Sequence, residues 1–334
     1  RQNKAERDMT WQDSLWANYT DGIVVLHRGH IIYERYFGAL TPDGQHAAMS
    51  VTKSITGLLG AALVAEGQLK ADAPVQHYLP ELAHSALGDA SVRQVLDMST
   101  ALQFSENYSD PKAEIWQYSA AGNPLPKPAG YSGPVGYYAT LATLKKAGTH
   151  GEVFGYKTPN ADAVGWLVAR TSGQPLNTLL SARLWQKMGM EHDAYFTVDE
   201  LGTPFAGGGF NASLRDMARL GELLRNKGQW QGQQLLPASA IADIAQGGDK
   251  TVFARSAYRS SLPGWSYRDM WWHTGNAHGA YMARGVHGQA LYIDPKAEMV
   301  IARFASHPIA ANSANDATSL PAYEAVANYL MVKK

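Results

Sequence analysis

Residues 50–63 read Ser-Val-Thr-Lys-Ser-Ile-Thr-Gly-Leu-Leu-Gly-Ala-Ala-Leu, an apolar run that opens on a Ser-x-x-Lys pattern. Its length, its Leu and Ala content and the closing Gly67 predict a buried helix that begins near Ser50. Residues i and i+3 share one helix face, so the Lys53 amine would lie beside the Ser50 hydroxyl. A lysine on so apolar a helix is unexpected as a surface charge. Because Ser-x-x-Lys also occurs by chance, a helix-capping serine followed by a surface lysine is the alternative interpretation.

The start of this helix could supply the chemistry of a serine nucleophile. Free backbone N–H groups and the positive end of the helix dipole favour negative charge there, so the Ser50 N–H could form half of an oxyanion hole. A serine hydroxyl needs a neighbouring base to become a nucleophile. Lys53 can be that base when burial lowers its pKa enough to leave the amine neutral. The pair therefore indicates acyl transfer through Ser50.

The rest of the chain predicts strands at both ends and helices in the middle. Alternating residues 22–27 and 31–37 flank Arg28-Gly29-His30 and indicate a hairpin, whereas residues 70–160 are loop-rich. Further strands are predicted at 270–273, 289–293 and 299–304, and helices at 161–171, 176–187, 213–225 (with a capping-box-like start) and 322–331.

We therefore predict an α+β fold, with an antiparallel sheet built from both termini and flanked by helices. A mostly helical, loop-rich domain is inserted between the two parts of the sheet. Residues 1–48 and 212–334 would form one discontinuous α/β domain. Residues 49–211 would form the helical domain that carries the nucleophile helix and the substrate loops.

The composition argues against several classes of function. Lys+Arg and Asp+Glu both number 29, so the formal net charge is zero, and neither nucleic acid nor a membrane is an expected partner. The chain has no cysteine, which excludes thiolate metal sites and cysteine nucleophiles. Three nearby histidines (His273, His278 and His287) lack a His-Glu-x-x-His helix or an intervening carboxylate, so we expect no metal and no cofactor.

The first residue is Arg1 rather than methionine. Removal of a signal peptide is one explanation and would imply a periplasmic or secreted protein. A trimmed chain is the other explanation and is compatible with a cytoplasmic protein. The sequence leaves the compartment undecided.

Five short segments become informative through their order along the chain, at 49–54, 73–82, 92–99, 187–190 and 215–221. Together they resemble the class C β-lactamase, family VIII esterase and penicillin-binding protein group, most closely its nylon-oligomer (6-aminohexanoate-dimer) hydrolases. The resemblance covers nearly the whole chain. It implies a β-lactamase/DD-peptidase-like fold and an acyl-enzyme on Ser50.

The resemblance also implies a catalytic tyrosine. Residues 155–160 read Gly-Tyr-Lys-Thr-Pro-Asn and are similar to the Tyr-x-Asn element of this group, which makes Tyr156 the implied proton relay. A nearby ammonium would favour its tyrosinate form. Thr158 stands where class C enzymes have asparagine, and its hydroxyl could donate to Lys53 or to a substrate carbonyl.

A third element of this group lies on a strand beside the nucleophile. Residues 285–289, Gly-Val-His-Gly-Gln, resemble it, and they imply Val286 as the second oxyanion N–H and His287 as a substrate-binding neighbour. His273-Thr274-Gly275 is a competing candidate. The lysine of the usual Lys-Thr-Gly is then missing, with Ala283 or Arg284 near its place. This absence argues against efficient β-lactamase activity.

The resemblance further implies a substrate pocket with altered polar groups. Tyr108 matches a loop tyrosine that closes over amide substrates, although an ordinary loop aromatic is the alternative. Ser119 stands where an aspartate would meet a substrate ammonium, and Gly207 where an asparagine lines the pocket. Both changes favour uncharged esters. Three tryptophans could wall the pocket or pack in the core: Trp116, Trp271 and Trp272.

The predicted function is therefore a serine hydrolase that forms an acyl-enzyme, with short-chain carboxylic esters as substrates and weak activity on linear amides. The alternatives are a 6-aminohexanoate-dimer amidase, a β-lactamase and a non-catalytic peptidoglycan-sensing domain. No Gly-x-Ser-x-Gly elbow supports an α/β-hydrolase. The expected partner is a small ester or amide, and a homodimer remains open.

Overall fold

A computed structural model describes residues 8–332, so Arg1 and the question of a signal peptide lie outside the described residues. The α-helices are α1 Trp11–Ala17, α2 Val51–Ala65, α3 Val75–Tyr78, α4 Val92–Leu96, α5 Glu114–Gly122, α6 Tyr137–Leu141, α7 Pro159–Ser172, α8 Leu176–Leu180, α9 Leu214–Arg225, α10 Ala238–Gln246, α11 Lys250–Ala254 and α12 Asp316–Val332. The strands are β1 Thr20–His27, β2 His30–Tyr36, β3 His46–Ala47, β4 Tyr195–Phe196, β5 Phe210–Ala212, β6 Gln229–Trp230, β7 Gln233–Gln234, β8 Ser266–Arg268, β9 Trp271–His273, β10 Tyr281–Gly285, β11 Gln289–Asp294 and β12 Met299–Ala305. Short 3₁₀ turns lie at Pro80–Leu82, Ala257–Arg259, Val286–Gly288 and Asn312–Ala314, and a π turn at Ser181–Trp185.

One seven-stranded sheet joins the two ends of the chain, in the order β2-β1-β12-β11-β10-β9-β8. Neighbouring strands are antiparallel, and β1 pairs with β12 from Thr20 to His27. The predicted α+β fold with a sheet from both termini is confirmed. Strands β8 and β10 are additional to the predicted ones; β8 has only three residues, too few to show alternation.

Helix α2 lies at the centre of the molecule, and its residues from Val51 to Leu63 are all buried. A Cβ added at Gly57 would lie 2.1 Å from the carbonyl oxygen of Asp269, so glycine lets the helix touch the turn before β9. The indole of Trp271 then donates a 2.9 Å hydrogen bond to the carbonyl of Ser54. This contact fixes the nucleophile helix against the sheet.

A buried ion-pair network ties α4 to the opposite side of the same turn. Arg93 donates to the Oδ1 of Asp269 at 2.6 Å and lies within 3.3 Å of carboxylate oxygens of Asp97 and Asp243. The side chain of Asp269 is fully buried. A buried carboxylate needs such a partner, because an unpaired charge in the interior is strongly unfavourable.

Two local predictions differ from the structure. The helix predicted over 176–187 is α-helical only to Leu180 and continues as a π turn. The capping box predicted at 213–216 is wrong, because the Asp216 carboxylate instead accepts hydrogen bonds from the N–H groups of Glu191 and His192. Asp216 therefore anchors a neighbouring loop, and at the start of its own helix it accepts a 2.9 Å hydrogen bond from the Ser213 hydroxyl.

Residues 70–160 contain four short helices joined by loops, as the composition predicts. Among the helices described, none is both long and apolar enough to span a bilayer. The division into a discontinuous α/β domain and a helical domain stays a prediction.

Candidate active site

Ser50 lies at the tight bend between β3 and α2. Met49, the residue before it, has a φ of 49°, a left-handed conformation that costs roughly 1–2 kcal/mol for a residue with a side chain. The bend places Ser50 at the N-cap of α2, with 8% of its surface exposed. Within residues 8–332 its backbone N–H donates to no protein acceptor. That N–H is therefore available to a ligand oxygen.

Lys53 lies one turn further along the same face of α2. Its Nζ is 3.0 Å from the Oγ of Ser50 and 2.6 Å from the carbonyl oxygen of Gly207. Only 1% of the residue is exposed. Burial lowers the pKa of Lys53, while the carboxylates of Glu106 and Asp162 act in the opposite direction. The predicted adjacency of serine and lysine, and the direction of the pKa shift, agree with the structure.

Tyr156 lies against both of these residues. Its side chain interacts with Ser50, and its ring centroid is 5.2 Å from the Nζ of Lys53. Burial raises the pKa of Tyr156, and the charge of Glu106 raises it further. The expectation of a tyrosinate is therefore corrected: the environment favours the neutral phenol, because low polarity and a nearby carboxylate both oppose a second negative charge.

Glu106 holds the loop that carries Tyr108 and was not predicted. Its two carboxylate oxygens accept hydrogen bonds from the Thr158 N–H at 2.6 Å, the Thr158 hydroxyl at 2.5 Å and the Tyr108 hydroxyl at 2.7 Å. The Thr158 hydroxyl therefore donates to Glu106, and the prediction that it donates to Lys53 or to a substrate carbonyl is wrong. Thr158 is 2% exposed and does not line the cavity.

A second approach to Ser50 comes from the end of β10. A Cβ added at Gly285 would lie 3.0 Å from the backbone nitrogen of Ser50 and 2.7 Å from the Ala48 oxygen. Glycine therefore allows the strand to reach the nucleophile. Val286 and His287 follow and both line the cavity. The His287 backbone, with a φ of 65°, is held by a 3.0 Å hydrogen bond from its N–H to Ala310.

Gly207 contributes its backbone rather than a pocket surface. A Cβ there would lie 2.6 Å from the Thr158 side chain, so no larger residue fits without movement. Its carbonyl accepts from Lys53, and its N–H contacts Asp162. Burial raises the pKa of Asp162 to about 7, although a 2.5 Å hydrogen bond from the Tyr118 hydroxyl acts to lower it. Gly207 itself does not line the cavity, so the loss of a polar anchor predicted at this position does not alter the cavity wall.

These elements open onto a cavity of about 650 Å³. Tyr156 packs on Trp272, with ring centroids 5.4 Å apart, and Trp272 lines the cavity as one of the predicted wall residues. Arg284 and Asp316 complete the wall on the side of α12. The cavity joins Ser50, Tyr108, Tyr156, Val286 and His287, which are five of the residues predicted from the sequence.

Other predicted residues lie elsewhere. Ser119 is exposed on the outer face of α5 and does not line the cavity. Trp271 is in the core. Trp116 is 42% exposed, and its ring centroid is 6.2 Å from that of Tyr108. The competing His273-Thr274-Gly275 segment is also outside the cavity lining, which favours residues 285–289 as the third element.

The three histidines considered as metal ligands have separate partners. A ring nitrogen of His278 is 2.7 Å from Asp294, and one of His287 is 2.7 Å from the His307 carbonyl. His273 accepts from the Gly275 N–H. No group of three or more ligand-type side chains within the described part of the chain is arranged to hold a metal ion.

Sequence reasoning missed Glu106 and the pairing of Arg284 with Asp316. Glu106 is only two residues from Tyr108, so proximity to that motif was the available signal. Its contacts depend on Thr158, which is 52 residues away. Asp316 is 32 residues from Arg284. No local pattern connects these partners.

Comparison with known proteins identifies the family of the chain. The family described as Beta-lactamase matches residues 15–322. A 6-aminohexanoate-dimer hydrolase from Paenarthrobacter ureafaciens is 35% identical over 297 residues, which cover 89% of this chain and 75% of that protein. A Bacillus anthracis structure assigned as a 6-aminohexanoate-dimer hydrolase has a TM-score of 0.88 at 32% identity, covering 98% of this chain and 83% of that one.

A more distant structure shows the fold alone. EstCE1, a hydrolase with promiscuous acyltransferase activity, has a TM-score of 0.73 at 16% identity and covers 95% of this chain and 96% of its own. The matched family extends from α1 into α12 and includes the Ser50 bend, α7 and the edge of β10. The chain belongs to the β-lactamase family, and it is a hydrolase with that family's fold.

Proposed function

We propose that this protein is a serine hydrolase that forms an acyl-enzyme on Ser50 and prefers short-chain carboxylic esters. The observation that supports this most directly is the 3.0 Å contact between Lys53 Nζ and Ser50 Oγ at the cavity. Because burial lowers the pKa of Lys53, the neutral amine can accept the serine proton. The neutral Tyr156 phenol, which lines the cavity together with Ser50, is suited to pass a proton onward.

In the proposed reaction, Ser50 Oγ attacks the ester carbonyl while its proton moves to Lys53. The backbone N–H groups of Ser50 and Val286 stabilise the oxyanion. The C–O bond to the leaving group then breaks, and the proton reaches the departing alkoxide through Tyr156. Water next attacks the acyl-enzyme by the same proton route, which releases the acid and restores Ser50.

The ester preference is supported by the wall of the cavity. The apolar and aromatic side chains on it include Trp272, Leu262 and Tyr258. Thr158, which stands where class C enzymes have asparagine, is occupied by Glu106 and offers no amide-type anchor. Neither Ser119 nor Gly207 contributes to this argument, since neither lines the cavity.

Linear-amide hydrolysis is the second candidate, and Tyr108 favours it. Its hydroxyl donates to Glu106, so a lone pair on the oxygen is left for the N–H of a leaving amine. The relatives described as 6-aminohexanoate-dimer hydrolases support the same candidate. Alkoxides leave more readily than amines, so we expect the amide activity to be the weaker one.

A three-substrate panel tests the proposal: p-nitrophenyl butyrate, 6-aminohexanoate dimer and a chromogenic cephalosporin. We expect turnover in that descending order, and loss of turnover and of fluorophosphonate labelling in Ser50→Ala. Ser54→Ala is the matched control, because Ser54 is buried one turn away and donates to the Met270 carbonyl. Cephalosporin turnover above ester turnover would overturn the preference. Wild-type protein without turnover or labelling would support a non-catalytic domain instead.

A further inference from the structure

Arg284 is a buried cation in the wall of the candidate active site. It is 6% exposed and lies on β10 directly before Gly285, which approaches the backbone of Ser50. Its guanidinium carbon is 5.3 Å from the Trp265 ring and 5.2 Å from the Trp272 ring. Aromatic faces stabilise a guanidinium only in part, so its charge also needs a carboxylate partner.

Asp316 is that partner. Its Oδ1 accepts a 2.6 Å hydrogen bond from Nη2 of Arg284, and both residues line the cavity. The Nη1 of Arg284 is buried and has no hydrogen-bond partner within the described chain. The charge of Arg284 is therefore compensated by one carboxylate, which itself belongs to the cavity wall.

The charged side chains that line the cavity are few, and each already has a partner. Among residues 8–332, the Asp, Glu, Lys and Arg side chains that line the cavity are Glu106, Arg284 and Asp316. Glu106 is engaged by Thr158 and Tyr108, and Asp316 by Arg284. A substrate carboxylate would therefore meet two carboxylates and a guanidinium that is already paired. An uncharged acyl chain would meet no such repulsion.

We propose that the Asp316–Arg284 pair sets the charge specificity of the site, with Asp316 masking Arg284 so that uncharged esters are accepted and carboxylate-bearing esters are rejected. This inference rests on the proposed function and names its substrate class. It implies that the selectivity can be reversed, because Asp316→Asn leaves an amide oxygen near Nη2 but removes the compensating charge. An incoming carboxylate could then pair with Arg284.

The test compares kcat/KM for p-nitrophenyl butyrate with that for two carboxylate-bearing esters. Mono-p-nitrophenyl glutarate carries the carboxylate on the acyl side, and 4-carboxyphenyl butyrate carries it on the leaving group. In Asp316→Asn we expect the carboxylate-to-neutral ratio to rise roughly tenfold or more for one of them, since a charge-assisted hydrogen bond is gained. The ester that responds identifies the side of the substrate that faces Arg284.

Arg284→Met should have the opposite effect. It leaves Asp316 unpaired and should therefore lower the carboxylate-to-neutral ratio of kcat/KM. The double variant Arg284→Met/Asp316→Asn should lose the gain. Glu81→Gln is the matched control, since Glu81 pairs with Arg170 away from the cavity and its loss should leave the ratio unchanged. A purely structural role would change all esters by the same factor, so an unchanged ratio in both single variants overturns the proposal.

Binding measured without turnover separates this inference from the proposed function. In the Ser50→Ala background, calorimetric titration with the same three esters should show tighter binding of a carboxylate-bearing ester when Asp316→Asn is added. Loss of turnover in all proteins would contradict the proposed function, while this titration would still decide the charge specificity. Equal binding with and without Asp316→Asn, or a wild type that prefers the carboxylates, refutes it.

Discussion

Glu106 links the loop of Tyr108 to the start of α7, and Glu106→Gln tests that link together with the electrostatics of Lys53. The carboxylate accepts three hydrogen bonds, two from Thr158 and one from Tyr108. Glutamine has a single acceptor oxygen, and its amide group is itself a donor. At least one of the three donors therefore loses its acceptor, and the remaining bonds lose their charge assistance.

The expected loss of stability follows from these contacts. An unsatisfied donor costs about 1–3 kcal/mol, and each remaining bond weakens by about 1 kcal/mol when the acceptor becomes neutral. Because Glu106 is partly exposed, we expect the free energy of unfolding to fall by about 2–4 kcal/mol in a urea titration. A change below about 0.5 kcal/mol would show that these hydrogen bonds do not hold the loop.

The same variant should change the pH dependence of ester hydrolysis. The Glu106 carboxylate raises the pKa of Lys53, so its removal lowers that pKa further below the ordinary lysine value. If neutral Lys53 is the base, kcat/KM rises as pH rises through its pKa, and this limb should move to lower pH in Glu106→Gln. A limb that stays in place, or moves to higher pH, would refute the assignment of Lys53 as the base.

Glu114→Gln is the matched control for both measurements. Glu114 lies at the start of α5 and accepts a 2.9 Å hydrogen bond from the N–H of Ser105, on the same loop as Glu106. Its charge is not among the causes of the Lys53 pKa shift. We expect a smaller loss of stability and an unchanged pH limb. A shift equal to that of Glu106→Gln would mean that loop disorder, rather than charge, moves the profile.

Three further substitutions test separate parts of the structure. Lys53→Met should lower kcat on p-nitrophenyl butyrate by about 10²–10⁴-fold, since Ser50 loses its base, and kcat within tenfold of wild type would exclude that role. Gly285→Ala places a Cβ 3.0 Å from the Ser50 nitrogen, so oxyanion stabilisation and kcat should fall by about 10²-fold while circular dichroism stays native; unchanged kcat would place the oxyanion elsewhere. Arg93→Met leaves the buried Asp269 carboxylate without its 2.6 Å partner and should cost about 3–5 kcal/mol in urea unfolding. A cost below about 1 kcal/mol would show that Asp269 is protonated or otherwise compensated.

The sequence alone was sufficient for the nucleophile helix and for the class of fold. Spacing along one helix determines that Ser50 and Lys53 are neighbours, because residues three apart share a face whatever surrounds them. Strand signals near both ends, with alternation in residues 22–27 and 31–37, predicted a sheet built from the two termini for a similar reason, since such patterns are local properties of the chain. The order of short motifs was enough to indicate the family.

Only the tertiary structure decided which groups surround that pair and what they do. Thr158, expected to meet substrate, donates to Glu106, and Gly207 supplies a carbonyl because neighbouring atoms leave no room for a side chain. The preference of Tyr156 for its neutral form depends on burial and on the Glu106 charge, neither of which a motif encodes. Contacts and solvation depend on distances between residues far apart in sequence. For that reason the reacting residues were predictable, whereas the charges that tune them and select the substrate were not.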